Sequence, residues 1–278
     1  MIPRPPARIV QETRKKRASS SGDEIIFSIF CHPAGCPDGV PAVIAYRETT
    51  GTLTGVDLPV RLSARNRDPN RAHVMSQILI SGASGMVGQA LCASLESDGH
   101  QVIRLVRNPS QLSETGTVLW SPVDQAIDGD TLKSHGRLDA VVHLAGEGIA
   151  AARWSTTQKA RIRDSRIVGT RLLANTIAGL PEPPGTLVSA SAIGFYGDRG
   201  DDWVEESDQP GDMFLSDLCR DWESETDPAR QAGIRVVNHR IGVVLSKTGG
   251  ALQKMLLPFK LGFGGRVGSG RQFWSWIT

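Results

Sequence analysis

The stretch Ile78-Leu-Ile-Ser-Gly-Ala-Ser-Gly-Met-Val-Gly-Gln-Ala-Leu91 constrains the fold more than any other part of the chain. A short β-branched run enters a turn that carries Gly82, Gly85 and Gly88, and an apolar helical pattern leaves it. Strand, tight turn and helix in that order predict the opening unit of a parallel α/β sheet.

The first turn of such a helix leaves backbone N–H groups unpaired and carries a partial charge of roughly +0.5. A pyrophosphate fits there if no Cβ blocks its approach. Gly82 permits the sharp turn, Gly85 the close approach, and Gly88 close packing of helix on strand. The spacing is G-x-x-G-x-x-G rather than G-x-G-x-x-G, and a mere turn is the bland alternative; the strand before and the helix after favour a nucleotide site. The helix is predicted over 86–97, a turn at Asp98-Gly99-His100, and a second strand over Gln101–Val106. That strand ends in Val106-Arg107-Asn108-Pro109, without the acid that holds the ribose hydroxyls of NAD. A guanidinium there suits a 2′-phosphate, because it is planar, always charged and bonds in two places. NADP(H) is therefore the expected cofactor, against the reading of Arg107 as a solvated loop cation.

Hydrophobic content of 40% and charged content of 22% over 278 residues fit an ordinary globular protein. A net charge of only +2 implies no nucleic-acid partner. Residues 1–74 carry eleven Lys and Arg against seven Asp and Glu, and eight of the sixteen prolines. They show little periodicity, and are expected to be a poorly structured extension or sequence upstream of a natural start at Met75. No run suits a signal-peptide core or a membrane span. Cys31-His-Pro-Ala-Gly-Cys36 has no second cluster to complete a metal site, so no metal is expected. Cys92 and Cys219 fall in helical patterns as small core residues, which fits a reducing compartment and a cytoplasmic location. The expected partner is a small molecule; oligomeric state is open.

From residue 78 onward strands and helices alternate, predicting a Rossmann-type doubly wound parallel sheet over residues 75–278. Val118–Trp120 reads as a short strand, and Leu138–Ala145 as a buried one ending at Gly146-Glu147. Ligands bind outside the carboxyl ends of such strands, so Leu144, Ala145 and Gly146 line the cofactor cleft or form a plain strand-end turn. A helix follows over about Thr156 to Ala178, with Lys159, Arg163 and Arg166 turned to cofactor or solvent. Thr186–Gly197 gives another strand and exit loop with the hydroxyls of Ser189, Ser191 and Tyr196. Residues 213–232 read as helix, Ile234–Leu245 as a strand with its exit loop, and a helix runs through Met255–Lys260.

Several stretches, in order, resemble the atypical extended short-chain dehydrogenase/reductases of the nucleoside-diphosphate-sugar epimerase-like family, within the NAD-dependent epimerase/dehydratase superfamily. They are Gly82–Gly88, His143–Glu147, Arg153-Trp154, Ser165-Arg166, Ser189–Gly197, Phe214–Glu223, Arg240–Leu245, Gly249–Leu252 and Gly268–Gln272 through Trp276-Ile277. The resemblance covers about residues 76–278. It implies NADP(H) lying along Gly82, Ser84, Gly85, Met86, Val87 and Gly88, with Val106 and Arg107 on the adenosine side. It also implies Leu144, Ala145 and Gly146 against the cofactor, Arg166 reaching it, and Val244 near the last strand's end.

The sequence departs from that family at two places. Well-characterised members carry a Tyr-x-x-x-Lys pair, the tyrosine serving as acid/base. The corresponding stretch here is Phe214-Leu-Ser-Asp-Leu218. Ser191 and Tyr196 are the hydroxyls expected to substitute, as catalytic or as structural groups. Related proteins also continue past the Trp-Ile segment, so a truncated substrate lobe and an exposed apolar seam are expected. The functional expectation is an NADP(H)-dependent oxidoreductase or epimerase acting on a small hydroxyl or carbonyl compound, such as a nucleotide sugar. The alternatives are a non-catalytic NADP(H)-binding sensor or scaffold, or an inactive fragment.

Overall fold

The computed structural model describes residues 75–278 apart from 114–115, 151, 201, 248, 267–269 and 271–274. The extension expected over residues 1–74, with Cys31 and Cys36, lies outside the described residues. The elements run β1 (Gln77–Ser81), α1 (Met86–Ser97), β2 (Gln101–Val106), β3 (Thr117–Ser121), β4 (Ala126–Ile127), α2 (Gly129–Ser134), β5 (Ala140–His143) and α3 (Thr156–Ala178). They continue through β6 (Thr186–Ala192), a 3-10 turn (Ile193–Tyr196), α4 (Phe214–Ser224), α5 (Asp227–Gln231), β7 (Arg235–Ile241), β8 (Val243–Ser246), α6 (Gly250–Lys260) and β9 (Trp276–Ile277).

Seven strands form one sheet in the order β4-β3-β2-β1-β5-β6-β7. β3 and β4 pair antiparallel, and the other ladders of this sheet are parallel. The direction of strand succession reverses between β1 and β5, which is the topological switch point of a doubly wound sheet. On one face Leu79, Ile103, Val118, Val141 and Leu187 meet Leu173, Ala174 and Ile177 of α3 and Ala229 of α5. On the other, Ile78, Ile80, Val102 and Val142 meet Leu91, Cys92 and Leu95 of α1. Burial on both faces is why β1 and β5 read as nearly continuous apolar runs.

The structure differs from the sequence reading in three places. Residues 213–232 split into α4 and α5, because Pro228 brings no N–H and its ring excludes the carbonyl four residues back. The stretch read over 234–245 as a strand with its exit loop leaves the sheet at Gly242, where a Cβ would stand 2.8 Å from the Ser275 carbonyl oxygen. Beyond it β8 pairs with β9 in a separate parallel ribbon. The third difference is β4 with α2, which carried no periodic signal. Asp128 caps α2 by accepting from the Thr131 N–H. α6 buries none of its residues; Leu257 and Phe259 on it, and Leu261 and Phe263 just after it, stand exposed.

Candidate functional site

The turn between β1 and α1 is built around its glycines. Gly82 adopts φ +73°, and a Cβ on it would lie 2.7 Å from the Leu144 carbonyl carbon. A Cβ on Gly88 would lie 2.2 Å from the Gly82 carbonyl oxygen. Gly85 is different: it is exposed, and its Cβ would meet only Gly82 Oxygen at 3.3 Å. So two of the glycines serve close packing, and the third leaves the helix mouth open. Gly85 is the N-cap of α1; no side chain caps that helix and no acid occupies its first turn. This is a cradle that a Cβ would fill, and its chemistry fits a pyrophosphate. Ser84 is exposed, and Met86 and Val87 are half-buried. Val106 ends β2 in the core, and Arg107 follows it exposed. From the far side, Gly249 and Gly250 close on Met86: a Cβ on Gly249 would stand 3.2 Å from the Met86 sulfur. A Cβ on Gly250 would stand 3.4 Å from both the Val244 carbonyl oxygen and the Met86 methyl carbon.

β5 meets the glycine turn through a buried polar chain. Ser81 Oγ accepts from the N–H groups of Leu144 at 3.2 Å and Ala145 at 3.4 Å, and bonds His143 Nδ1 at 2.6 Å. His143 Nε2 bonds Thr170 Oγ1 of α3 at 3.0 Å, and Trp222 Nε1 of α4 donates to the same oxygen at 2.8 Å. Four elements are thus joined behind the cleft. Burial first, and the Arg166 charge second, push the His143 pKa down to about 4, so the ring is neutral. Gly146 lies against Arg166: a Cβ there would be 3.2 Å from the guanidinium carbon. Arg166 donates to the carbonyls of Glu147 at 3.0 Å and Ile162 at 3.1 Å and stacks on Trp222. Leu144, Ala145, Gly146 and Arg166 therefore gather at the switch point.

The His143 environment has a pH consequence. The unfolded chain protonates this ring below its ordinary value of 6.5, whereas the folded chain does so only near 4. Stability is complete above pH 6.5 and falls as the pH drops toward 4, by about 1.4 kcal/mol per unit and about 3 kcal/mol in all. Urea unfolding at pH 7 and pH 5 checks this: the loss on acidification is expected to be about 2 kcal/mol smaller in His143→Asn than in the parent. Equal losses would contradict it.

Ser191 and Tyr196, the two expected catalytic hydroxyls, are each already engaged. Ser191 donates to Glu223 Oε1 of α4 at 2.6 Å. Arg240 of β7 meets both oxygens of that carboxylate, through Nε and Nη2, each at 2.9 Å. Its Nη1 donates to Tyr196 Oη at 3.0 Å and to the Glu206 carbonyl at 3.1 Å. The guanidinium carbon also sits 3.4 Å over the Phe195 ring. Burial pulls the Arg240 pKa down, and the bonds to Glu223 and Tyr196 outweigh it, so the net shift is upward. Ser191 is 3% exposed and Tyr196 8%. A serine that gives its only proton to a carboxylate has none to polarise a substrate oxygen.

The entrances of α3 and α4 form the other wall. Arg163 pairs with Asp221 at 2.8 Å and keeps 45% of its side chain exposed. Lys159 lies over the Phe214 ring, and Trp154 packs edge-on against the same ring at 5.9 Å. Leu218 is 2% exposed in the core, one turn further along α4.

Residues 78–254 match the model of the NAD dependent epimerase/dehydratase family. The chain belongs to that family. An epimerase family protein of Mycobacterium bovis is 45% identical over 201 residues, covering 72% of this chain and 64% of the relative. The chain thus spans less than two thirds of that relative's length. A crystal structure described as the nucleoside-diphosphate sugar epimerase from Corynebacterium glutamicum superposes with TM-score 0.63 at 40% identity, over 74% of this chain and 41% of that one. The human epimerase family protein SDR39U1 (isoform 2), crystallised with NADPH, gives TM-score 0.61 at 35% identity, over 72% of this chain and 65% of that one.

Within this epimerase/dehydratase fold the sequence pointed to the glycine turn and to the end of β5, and overlooked what stands behind them. His143 carried a signal, being the one polar side chain at the end of an apolar strand. Glu223 and Arg240 carried none, since charged residues on a helix face and a strand give no sign of pairing across seventeen positions.

Proposed function

We propose that this chain binds NADP(H) through residues 75–278 as its nucleotide-binding domain, and exchanges hydride with a small hydroxyl or carbonyl substrate. The observation that carries this reading is the acid-free, uncapped mouth of α1 over the Gly82–Gly88 cradle. Bound there, the cofactor supplies the hydride chemistry; the protein binds and orients it. Gly82, Ser84, Gly85, Met86, Val87 and Gly88 would hold the pyrophosphate, and Leu144, Ala145, Gly146, Arg166 and Val244 would line the remaining cleft. Arg107 after β2, with no acid at that place, supports NADP(H) over NAD(H). Its replacement by alanine is expected to weaken NADPH binding by about tenfold or more and to leave NADH binding unchanged, measured by calorimetry. Equal loss for both nucleotides would remove Arg107 from the 2′-phosphate.

In this reading Ser191 and Tyr196 hold the Glu223–Arg240 pair and so fix the turn after β6, instead of touching substrate. No described helix is long and apolar enough to cross a membrane. Free, buried Cys92 and Cys219 support a reducing, cytoplasmic setting.

A second reading, an NADP(H)-binding sensor or scaffold without turnover, is favoured by Phe214 and Leu218. By the resemblance they correspond to the family's tyrosine and lysine. NADPH binding with no consumption across a panel of sugar nucleotides and aldehydes would support it.

A further inference from the structure

We propose that Trp154, Phe214 and Lys159 form the substrate face of this site and take a planar aromatic carbonyl compound, whose oxygen is held by the Lys159 ammonium. The proposal rests on the cofactor reading above for its reducing partner, but the face itself is a property of this chain alone.

Its position follows from how α3 and α4 run. Lys159 meets Phe214, Arg163 meets Asp221, Thr170 meets Trp222, and Arg171 meets Glu225. Residue numbers rise together, so the two helices lie side by side and point the same way. Their first turns therefore stand together at the carboxyl ends of β5 and β6, the edge at which a doubly wound sheet binds ligands.

What stands at that edge is aromatic and apolar. Trp154 keeps 41% of its surface exposed, and its indole N–H is tied to the Ile149 carbonyl at 2.7 Å. The ring is thereby held in place with a face to offer. It meets the Phe214 ring edge-on, with planes at 71°. Ile149, whose carbonyl holds the indole, and Met213, which precedes Phe214, are 45% and 51% exposed. A second tie reaches the same loop from α6, where Lys254 Nζ donates to the Ala150 carbonyl. Rigid aromatic faces bind flat ligands at low cost in conformational entropy.

One charge stands over this surface. Lys159 Nζ is 5.2 Å from the Phe214 centroid, the geometry of a cation on a ring face. Among the described residues it has no carboxylate partner, so its three donors are available to a ligand oxygen. The Ser191 proton, by contrast, is given to Glu223, and the Tyr196 oxygen accepts from Arg240. A sugar ring would require several converging donors and acceptors. An exposed indole face, the phenyl ring beside it and one ammonium suit a flat molecule whose carbonyl acceptors sit at one edge.

The probe is 9,10-phenanthrenequinone, neutral and planar, titrated calorimetrically into the protein alone and into protein saturated with NADP+. The expected result is micromolar binding that falls about tenfold or more in Trp154→Ala and in Lys159→Met, and is largely kept in Lys159→Arg, which preserves charge and donors. NADP+ affinity is expected to be the same in all three variants. Both replaced side chains are partly exposed, and thermal unfolding of each variant verifies its fold. Binding of UDP-glucose without binding of phenanthrenequinone would overturn the proposal. So would variants that bind the quinone as the parent does. Failure of NADP+ to bind a protein that still takes the quinone would instead sink the cofactor reading and leave this face standing.

Discussion

Replacing Gly88 by alanine is expected to abolish NADPH binding and to cost about 3 kcal/mol of stability. The new Cβ would stand 2.2 Å from the Gly82 carbonyl oxygen, 2.8 Å from Ala83 Cα and 2.9 Å from the Gly82 carbonyl carbon. All three are backbone atoms, and no side-chain rotation can relieve them. α1 has to retreat by about 1 Å to restore ordinary contact. That shift carries its first-turn N–H groups away from the phosphate site and loosens Leu91, Cys92 and Leu95 from β1 and β2. Gly85→Ala provides the contrast. Its Cβ meets only Gly82 Oxygen at 3.3 Å, so the fold is expected to survive while the ligand loses its close approach. Thermal unfolding with and without NADPH separates the two: Gly88→Ala loses both melting temperature and ligand response, and Gly85→Ala loses only the second. A Gly88→Ala protein that melts normally and binds NADPH would refute the packing argument.

Glu223→Ala is expected to cost about 3–5 kcal/mol, because it strands a buried guanidinium. The Glu223 and Arg240 side chains are 14% and 18% exposed, so solvent does little to replace the lost partner. Ser191 loses its acceptor in the same step. Ser191→Ala and Tyr196→Phe each remove one hydrogen bond and are expected to cost about 1 kcal/mol, with NADPH affinity unchanged. Urea unfolding measures all three. If Ser191→Ala left stability intact while abolishing turnover of a substrate once found, that hydroxyl would be facing substrate and not Glu223.

These two sites differ in how far the sequence announced them. The glycine turn was legible because its cause is local. Strand, turn and helix lie within fourteen residues, Ile78 to Leu91, and each demands its own residue types. For the same reason α1 and α3 occupy the residues their periodicity predicted, with Ser155 accepting from Gln158 N–H at the start of α3. The Glu223–Arg240 pair joins a helix to a strand, and only the tertiary packing of α4 on β6 and β7 brings the two charges together. β4 was hidden because two residues, Ala126 and Ile127, are too few for a period and pair only through Trp120 and Ser121. The exit of the chain from the sheet at Gly242 depends on Ser275, more than thirty residues away. Lys159 was readable as a cation on a polar helix face, but the ring beneath it comes from another helix. Local chemistry can be read along the chain, and partners brought in by topology cannot.

In the proposed function the open first turn of α1 grips a 2′-phosphorylated nicotinamide dinucleotide. Isothermal titration of the folded protein with NADPH and with NADH tests it most directly. NADPH is expected to bind in the micromolar range or tighter, with NADH weaker by about tenfold or more. A folded protein that gives no heat with either nucleotide would contradict the account at its base.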